Sequence, residues 1–298
     1  MRCGVGDGWA VDNPAVAKPW EWDETLYAQS AAYYVAGRMA YPSRLAEQIA
    51  AAVGLSGASR ALDVGCGPGA LTLMLARHVG QIIGIDADPE MVAQAEMAAQ
   101  RAGVGNVGWR RMRGEQLPGD LGRFDLVTFA QSFHWMERVK VARTVLAMLS
   151  AGGACVHVHA TTHRGDSSVD ALPRPRPPYQ EIEALARSYL GPTRRAGRSA
   201  VPGGARDDED DIYREAGFDG PTRFEVPRGE VIERTVDEVV AATFSLSSST
   251  PHLFGDRRAE FEADLRAVLG AASDDGRFCE RARDVAFDVW RPLGPTSS

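Results

Sequence analysis

This chain is poor in the residues that build cross-links and metal fingers. Its four cysteines, Cys3, Cys66, Cys155 and Cys279, are scattered through 298 residues with no C-x-x-C pair, which argues against a disulfide framework and a zinc site alike. No apolar run approaches the roughly 20 residues that span a bilayer, and residues 1–18 lack the apolar core of a signal peptide. The expected location is a reducing cytoplasm, with no membrane partner. Basic charge is also scarce. Lys and Arg total 33 against 40 Asp and Glu, a formal net charge of −7, so no general attraction to nucleic acid is expected. No internal repeat is present, and nothing marks an oligomeric state. What remains is ordinary: 44% hydrophobic and 24% charged residues, close to an average globular protein and long enough for one sizeable α/β domain.

The informative stretch is Ala61-Leu62-Asp63-Val64-Gly65-Cys66-Gly67-Pro68-Gly69. A buried strand over 61–64 runs into a glycine-rich turn, and Asp86 closes a second apolar strand over 81–85. Strand, glycine turn, helix and second strand ending in an acid make a nucleotide-binding half of a doubly wound sheet. The glycines let backbone approach a ligand, and the acid accepts bonds from ribose hydroxyls. A dinucleotide would put its pyrophosphate at this turn, against the helix N-terminus. Asp63 stands two residues before the first glycine, and its carboxylate is expected to face the same pocket. Two like charges at about 4 Å repel by several kcal/mol at an effective dielectric near 20. The acid therefore points to a ligand with a cationic end, such as an amino acid's ammonium group.

The pattern Asp63-x-Gly65-x-Gly67-x-Gly69 followed by Asp86 resembles the class I S-adenosylmethionine-dependent methyltransferases. A bare G-x-G-x-x-[GA] reading through Gly65, Gly67 and Ala70 stays open beside it, and with it an NAD(P)-dependent oxidoreductase. The resemblance implies S-adenosylmethionine as cofactor. Asp63 and the backbone of Gly65, Cys66, Gly67 and Gly69 would hold its methionine end, Asp86 its ribose, and Ala87 and Met91 would flank its adenine. It also implies a doubly wound, mostly parallel seven-stranded sheet with an antiparallel last strand.

Along the chain, residues 1–19 read as a loose tail and 20–298 as one domain. The aromatic stretch 20–42 holds Trp20, Trp22, Tyr27, Tyr34 and Tyr41, with Tyr27, Ala31, Tyr34 and Arg38 at helical spacing. It either closes over the cofactor, as the resemblance implies, or packs its aromatics on the core. The cofactor-binding core is expected over 43–162, with strands at 107–112, 124–129 and 154–159 alternating with helices. Composition then shifts to proline and arginine over 163–206, interrupted by a helix at 179–190; a segment this long reads as a lid over the acceptor. In the C-terminal part, 207–298, the acidic run Asp207 to Asp211 reads as compensation of a helix dipole rather than a charged binding site. Two last strands are expected at 222–226 and 285–290, with helices near 236–246 and 257–269 between them.

Ligands in such sheets sit beyond the carboxyl ends of the strands, which selects the remaining candidates. Arg113-Gly114-Glu115-Gln116-Leu117-Pro118 resembles a family segment that recognises adenine, but Arg113 stands where an Asp is usual. Gly114 and Glu115 can offer backbone, while Arg113 can stack on the ring. The segment Ala130-Gln131-Ser132-Phe133-His134-Trp135 resembles that of trans-aconitate methyltransferase-like enzymes. The resemblance puts Gln131 beside the sulfonium and His134 near the transferred methyl, as a general base or as a structural residue. Tyr27, Tyr34, Arg38, Tyr41, Trp135 and His159 are the expected acceptor pocket. His157, His159 and His163 have no acid among them before Asp166, so no metal is expected. The function so read is methyl transfer to a small-molecule acceptor, at oxygen, by alignment. A cofactor-binding protein that transfers nothing remains an alternative.

Overall fold

The computed structural model describes residues 23–167, 171–192 and 208–294, with the short pieces 195–196 and 199–200. The tail 1–19, Trp20, Trp22, Arg194, Arg198 and Asp207 lie outside these residues. The chain runs α1 (Ala31–Gly37), α2 (Leu45–Val53), β1 (Arg60–Val64), α3 (Ala70–Leu75), β2 (Gln81–Asp86), α4 (Pro89–Ala102), β3 (Val107–Arg111) and β4 (Phe124–Ala130). It continues through α5 (Arg138–Met148), β5 (Leu149–His159), α6 (Tyr179–Leu190), the two-residue β6 (Arg195–Ala196) and β7 (Ser199–Ala200), and α7 (Glu209–Ala216). Last come β8 (Phe218–Val226), β9 (Val231–Thr235), α8 (Val236–Phe244), α9 (Arg258–Ala272), β10 (Arg277–Arg281) and β11 (Val285–Pro292).

Seven strands form one sheet in the order β3-β2-β1-β4-β5-β11-β8. The ladders β1–β2, β1–β4, β2–β3 and β4–β5 are parallel, whereas β11 is antiparallel to both its neighbours. β1 and β4 are buried along almost their whole length, as strands covered on both faces must be. On one face α5 and α7 bury Val141, Val145 and Tyr213 against Phe129 and Trp290. On the other, α2 and α3 bury Leu45, Ile49 and Leu71 against Ile82 and Val156. Local signals set the boundaries. Asp88 caps α4 through bonds from the Glu90 and Met91 amides, Pro89 stands in its first turn, and Gly103 ends it at φ 64°.

Two features depart from the sequence reading. Among its described residues the aromatic stretch is helical only over Ala31–Gly37, because Asp23 accepts bonds from Thr25 and the backbone turns until Gln29 at φ 63°. The second is β9 and β10, an antiparallel pair outside the main sheet. Their alternation is masked by charge: Glu233 on β9 meets Arg174 and Arg277 on the exposed side, while Phe278 faces inward. This pair, with α6, α8 and α9, encloses a third apolar cluster of Ile182, Val240, Phe244, Phe254, Phe261 and Phe278. Full burial of each large side chain contributes about 1.5–3 kcal/mol. α6 thus packs on α9, and its residues do not line the cleft described below. No helix among the described residues is long and apolar enough to cross a membrane.

Candidate active site

The first turn has no amide to spare. Gly65 N and Cys66 N both donate to Ile85 O, at 2.8 and 3.0 Å. Gly67 N donates to Asp86 Oδ2 at 2.8 Å, and Gly69 N to Cys66 O at 3.0 Å. Residue 68 is proline and has no N–H. The expectation that Asp63 faces the pocket is corrected. It is 1% exposed and lies beneath the turn, where Oδ2 accepts from Thr72 Oγ1 at 2.6 Å and Oδ1 from Thr128 Oγ1 at 2.7 Å. The Thr72 amide points to it as well, so Asp63 satisfies the N-terminus of α3. Burial raises its carboxyl above the ordinary range, and the bonds from Thr72 and Thr128 oppose that rise.

Gly69 and Cys66 also do not line the cleft, because the ring of Trp109 fills the space beneath them. A Cβ on Gly69, which sits at φ 82°, would lie 2.6 Å from that ring, and one on Gly84 would lie 2.5 Å from it. Cys66 Sγ packs at the same place. The sequence reading missed Trp109, although a glycine inside β2 is the usual mark of close approach.

Beyond the carboxyl ends of β1, β2, β3 and β4 lies a cleft. Gly65, Gly67, Asp86, Ala87, Met91, Arg113, Gly114, Glu115 and Gln131 line it as anticipated, with Tyr27, Tyr34 and Trp135 across from them. Ala130 and Ser132, from the candidate segment 130–135, also line it, and Leu26, Met112 and Met136 join them without having been foreseen. Asp86 Oδ1 accepts from the Asp88 amide at 2.9 Å. Burial raises its carboxyl from 3.8 to about 6, partly offset by the Asp88 and Gly67 amides. Ser132 Oγ donates to Val64 O at 2.5 Å, and a Cβ on Gly65 would meet Ser132 Cβ at 2.4 Å, so the glycine lets the two loops close together. Gln131 holds φ 58° with Nε2 bonded to Val158 O at 3.2 Å; strain of this kind gathers at functional loops.

Leu26, Tyr27 and Tyr34 make the N-terminal segment one wall of the cleft, while Tyr33 packs on the third cluster. Tyr27 stands edge-on to Tyr34 and Trp135, with centroids 6.3 and 6.2 Å apart, and burial pushes its hydroxyl up to about 12. The Trp135 indole nitrogen is buried and finds no acceptor in good geometry, although the Tyr27 hydroxyl is near enough to feel it.

Other expected pocket residues lie elsewhere. Arg38 packs over Tyr34 and donates to Ser245 Oγ and Ser245 O, both at 2.8 Å, tying α1 to the end of α8. Tyr41 packs against the core on the α2 side, facing Ala46 and Met74, and burial raises its hydroxyl. His134 does not line the cleft either. Its one-turn helix, Phe133–Trp135, turns the imidazole toward Trp135, 4.6 Å between centroids, and its charge is felt by His157. His159 borders a second cleft, which shares Gln131 with the first and carries Arg223, Arg228 and Arg283. Asp166, from the 163–206 segment, also lines it.

The charge run before α7 behaves in two ways. Asp208 pairs with Arg138 at 2.7 and 2.8 Å on the surface. Glu209 turns inward, where Oε2 lies 3.3 Å from His157 Nδ1. The histidines of β5 therefore do have an acid beside them, delivered from 50 residues downstream.

Residues 61–153 match the family model of a methyltransferase domain. Over 95 residues the chain is 37% identical to an uncharacterized methyltransferase, YcgJ, of Bacillus subtilis, covering 32% of this chain and 38% of that protein. Over 114 residues it is 37% identical to a ubiquinone biosynthesis O-methyltransferase of Xanthomonas campestris, covering 38% of this chain and 46% of the relative. The chain thus spans less than half the length of these curated relatives. Among solved structures, it is similar to the YcgJ protein of Bacillus subtilis, with a TM-score of 0.49 and 20% identity over 84% of this chain and 98% of that one.

Proposed function

We propose that this chain, whose residues 61–153 match the family model of a methyltransferase domain, moves the methyl group of S-adenosylmethionine to an oxygen of a small-molecule acceptor. One observation carries the reading of the donor. The four amides of the first turn are all bonded within the protein, and Asp63 already occupies the α3 N-terminus. A pyrophosphate would find no free amide among these four, and the carboxylate beneath them opposes its charge. A phosphate-free nucleoside with a cationic amino-acid end suits the same place.

The cleft fits that molecule. Asp86 keeps lone pairs for ribose hydroxyls, Ala87 and Met91 offer an apolar slot for a flat base, and Arg113 can stack on it. When bound, S-adenosylmethionine supplies an electrophilic methyl on a sulfonium. The protein's part is alignment, which contributes about 7–11 kcal/mol when reacting atoms are held near 3–3.5 Å. Gln131 is the wall common to both clefts, so donor and acceptor would meet beside it. Arg223, Arg228, Arg281 and Arg283 outnumber Asp166 and Asp284 on the acceptor side, and this excess of positive charge favours an anionic molecule. Its attack on a sulfonium cancels charge, and a water-poor site assists such a step. The ubiquinone O-methyltransferases among the relatives favour oxygen as the acceptor atom.

Calorimetry with S-adenosylhomocysteine and, separately, reduced pyridine nucleotides tests the donor. Micromolar binding of the first alone is expected, and tight binding of the second alone would sink the reading. Incubation with labelled donor and cell extract should yield a product one methyl heavier. Binding without any labelled product would turn the enzyme into a cofactor-binding protein.

A further inference from the structure

We infer that His157, His159 and Glu209 form a binding site for a divalent transition-metal cation of the zinc kind. One ring nitrogen of each histidine and one carboxylate oxygen of Glu209 come within 4.8 Å of one another. The three are brought together by topology. His157 and His159 occupy one face at the end of β5, their rings 4.4 Å apart, and Glu209 opens α7, which packs over that face. Two imidazoles and one carboxylate are borderline donors that suit zinc, cobalt or nickel better than magnesium or calcium.

Glu209 Oε2 stands 3.3 Å from His157 Nδ1, and one further contact favours a cation over a simple polar contact. Asp288 supplies it. It lies directly across the β5–β11 ladder from His157, is 2% exposed, and places Oδ2 2.8 Å from His159 Nε2. A carboxylate on the outer nitrogen of a histidine fixes its tautomer: with the proton on Nε2, Nδ1 carries the lone pair. Asp288 Oδ1 has no partner among the described residues, although it is buried. Its other oxygen, Oδ2, is also 3.4 Å from Arg223 Nη1, so the carboxylate stays charged and able to hold the His159 ring.

Three protein ligands leave coordination positions for water or a ligand oxygen. His159 borders the arginine-bearing cleft, so those positions would be reached from there. The site stands independently of any methyl transfer, because metal binding is read without a donor or an acceptor.

Cobalt is the probe. The full chain, stripped with a chelator and titrated with Co2+, should develop visible d–d absorption that saturates at a single equivalent, and Zn2+ should abolish it. Asp288→Asn should weaken the metal by about 10–100-fold. Glu209→Gln and His159→Gln change a helix start and a half-exposed strand end, so both should fold, as far-UV circular dichroism will check, and lose the saturable spectrum. His134→Gln, beside the cluster but outside it, should keep the spectrum. Absence of saturable absorption at micromolar Co2+ in the wild-type chain overturns the inference. So does an unchanged titration in both Glu209→Gln and His159→Gln.

Discussion

Asp63 and Thr72, nine residues apart on either side of the glycine turn, are joined through the threonine's hydroxyl at 2.6 Å and by its amide. The pair closes the start of α3 with an internal anion. It makes the turn self-sufficient, and it places the carboxylate beneath the turn rather than facing the cleft.

Asp63→Ala should leave two buried hydroxyls and the α3 N-terminus without an acceptor. The cost is about 1–3 kcal/mol for each unsatisfied group, read as a lower urea midpoint. Asp63→Asn keeps an acceptor and should lose less. If the two variants unfold at the same urea concentration, the acceptor role of Asp63 is wrong.

The Asp86 carboxyl, raised by burial to about 6, ties donor binding to pH. On the proposed reading its charged form would accept from ribose hydroxyls, so the affinity for S-adenosylhomocysteine should rise with pH up to about 6 and level off above it. Stability moves the other way. A carboxyl whose folded pKa exceeds its unfolded value favours folding at low pH, and that contribution is lost as pH rises from about 4 through about 6. Calorimetric titrations between pH 5 and 8 measure the first effect; in Asp86→Asn the pH dependence should vanish along with most of the affinity.

Gly84→Ala should destabilise by about 1–3 kcal/mol through overpacking, since its new methyl would lie 2.5 Å from the Trp109 ring. Trp109→Leu opens a cavity of its own. Combined with Gly84→Ala it should cost clearly less than the sum of the two single changes. Strict additivity in denaturant melts would refute the contact.

Arg234 and Glu280 form a buried hub of the third cluster, 3% and 1% exposed and 3.2 Å apart. Arg234 also donates to Gly37 O and Glu238 O. Glu280 accepts from Gly165 N and from the Tyr179 hydroxyl. Glu280→Ala leaves a buried guanidinium unpaired and should cost about 3–5 kcal/mol. Because the hub links α1, α6 and β9–β10, protease sensitivity should appear in these segments first. Early cleavage in the seven-stranded sheet instead would contradict that arrangement.

Much of the nucleotide half was legible because its determinants are local. Strand, glycine turn, helix and acid all fall between residues 60 and 103, and the α4 cap and stop, Asp88 and Gly103, lie within the same stretch. β9 was not legible, since Glu233 and Arg234 interrupt its apolar pattern for partners some 45 residues away. Arg38 and Tyr41 were misplaced for a similar reason. Helical spacing says which residues share a face, but not that Ser245, over 200 residues later, would take up the guanidinium.

By itself the sequence determined the strand–turn–helix geometry and the identity of most residues lining the first cleft, because backbone conformation there is dictated by glycines and caps a few positions apart. Tertiary structure alone decided the use of side chains that have a choice of partners. It turned Asp63 under the turn, set His134 behind Trp135 rather than among the residues lining the cleft, and set Glu209 beside His157. Each outcome depends on which element packs above the sheet, and that contact is made between segments with no pattern in common along the chain.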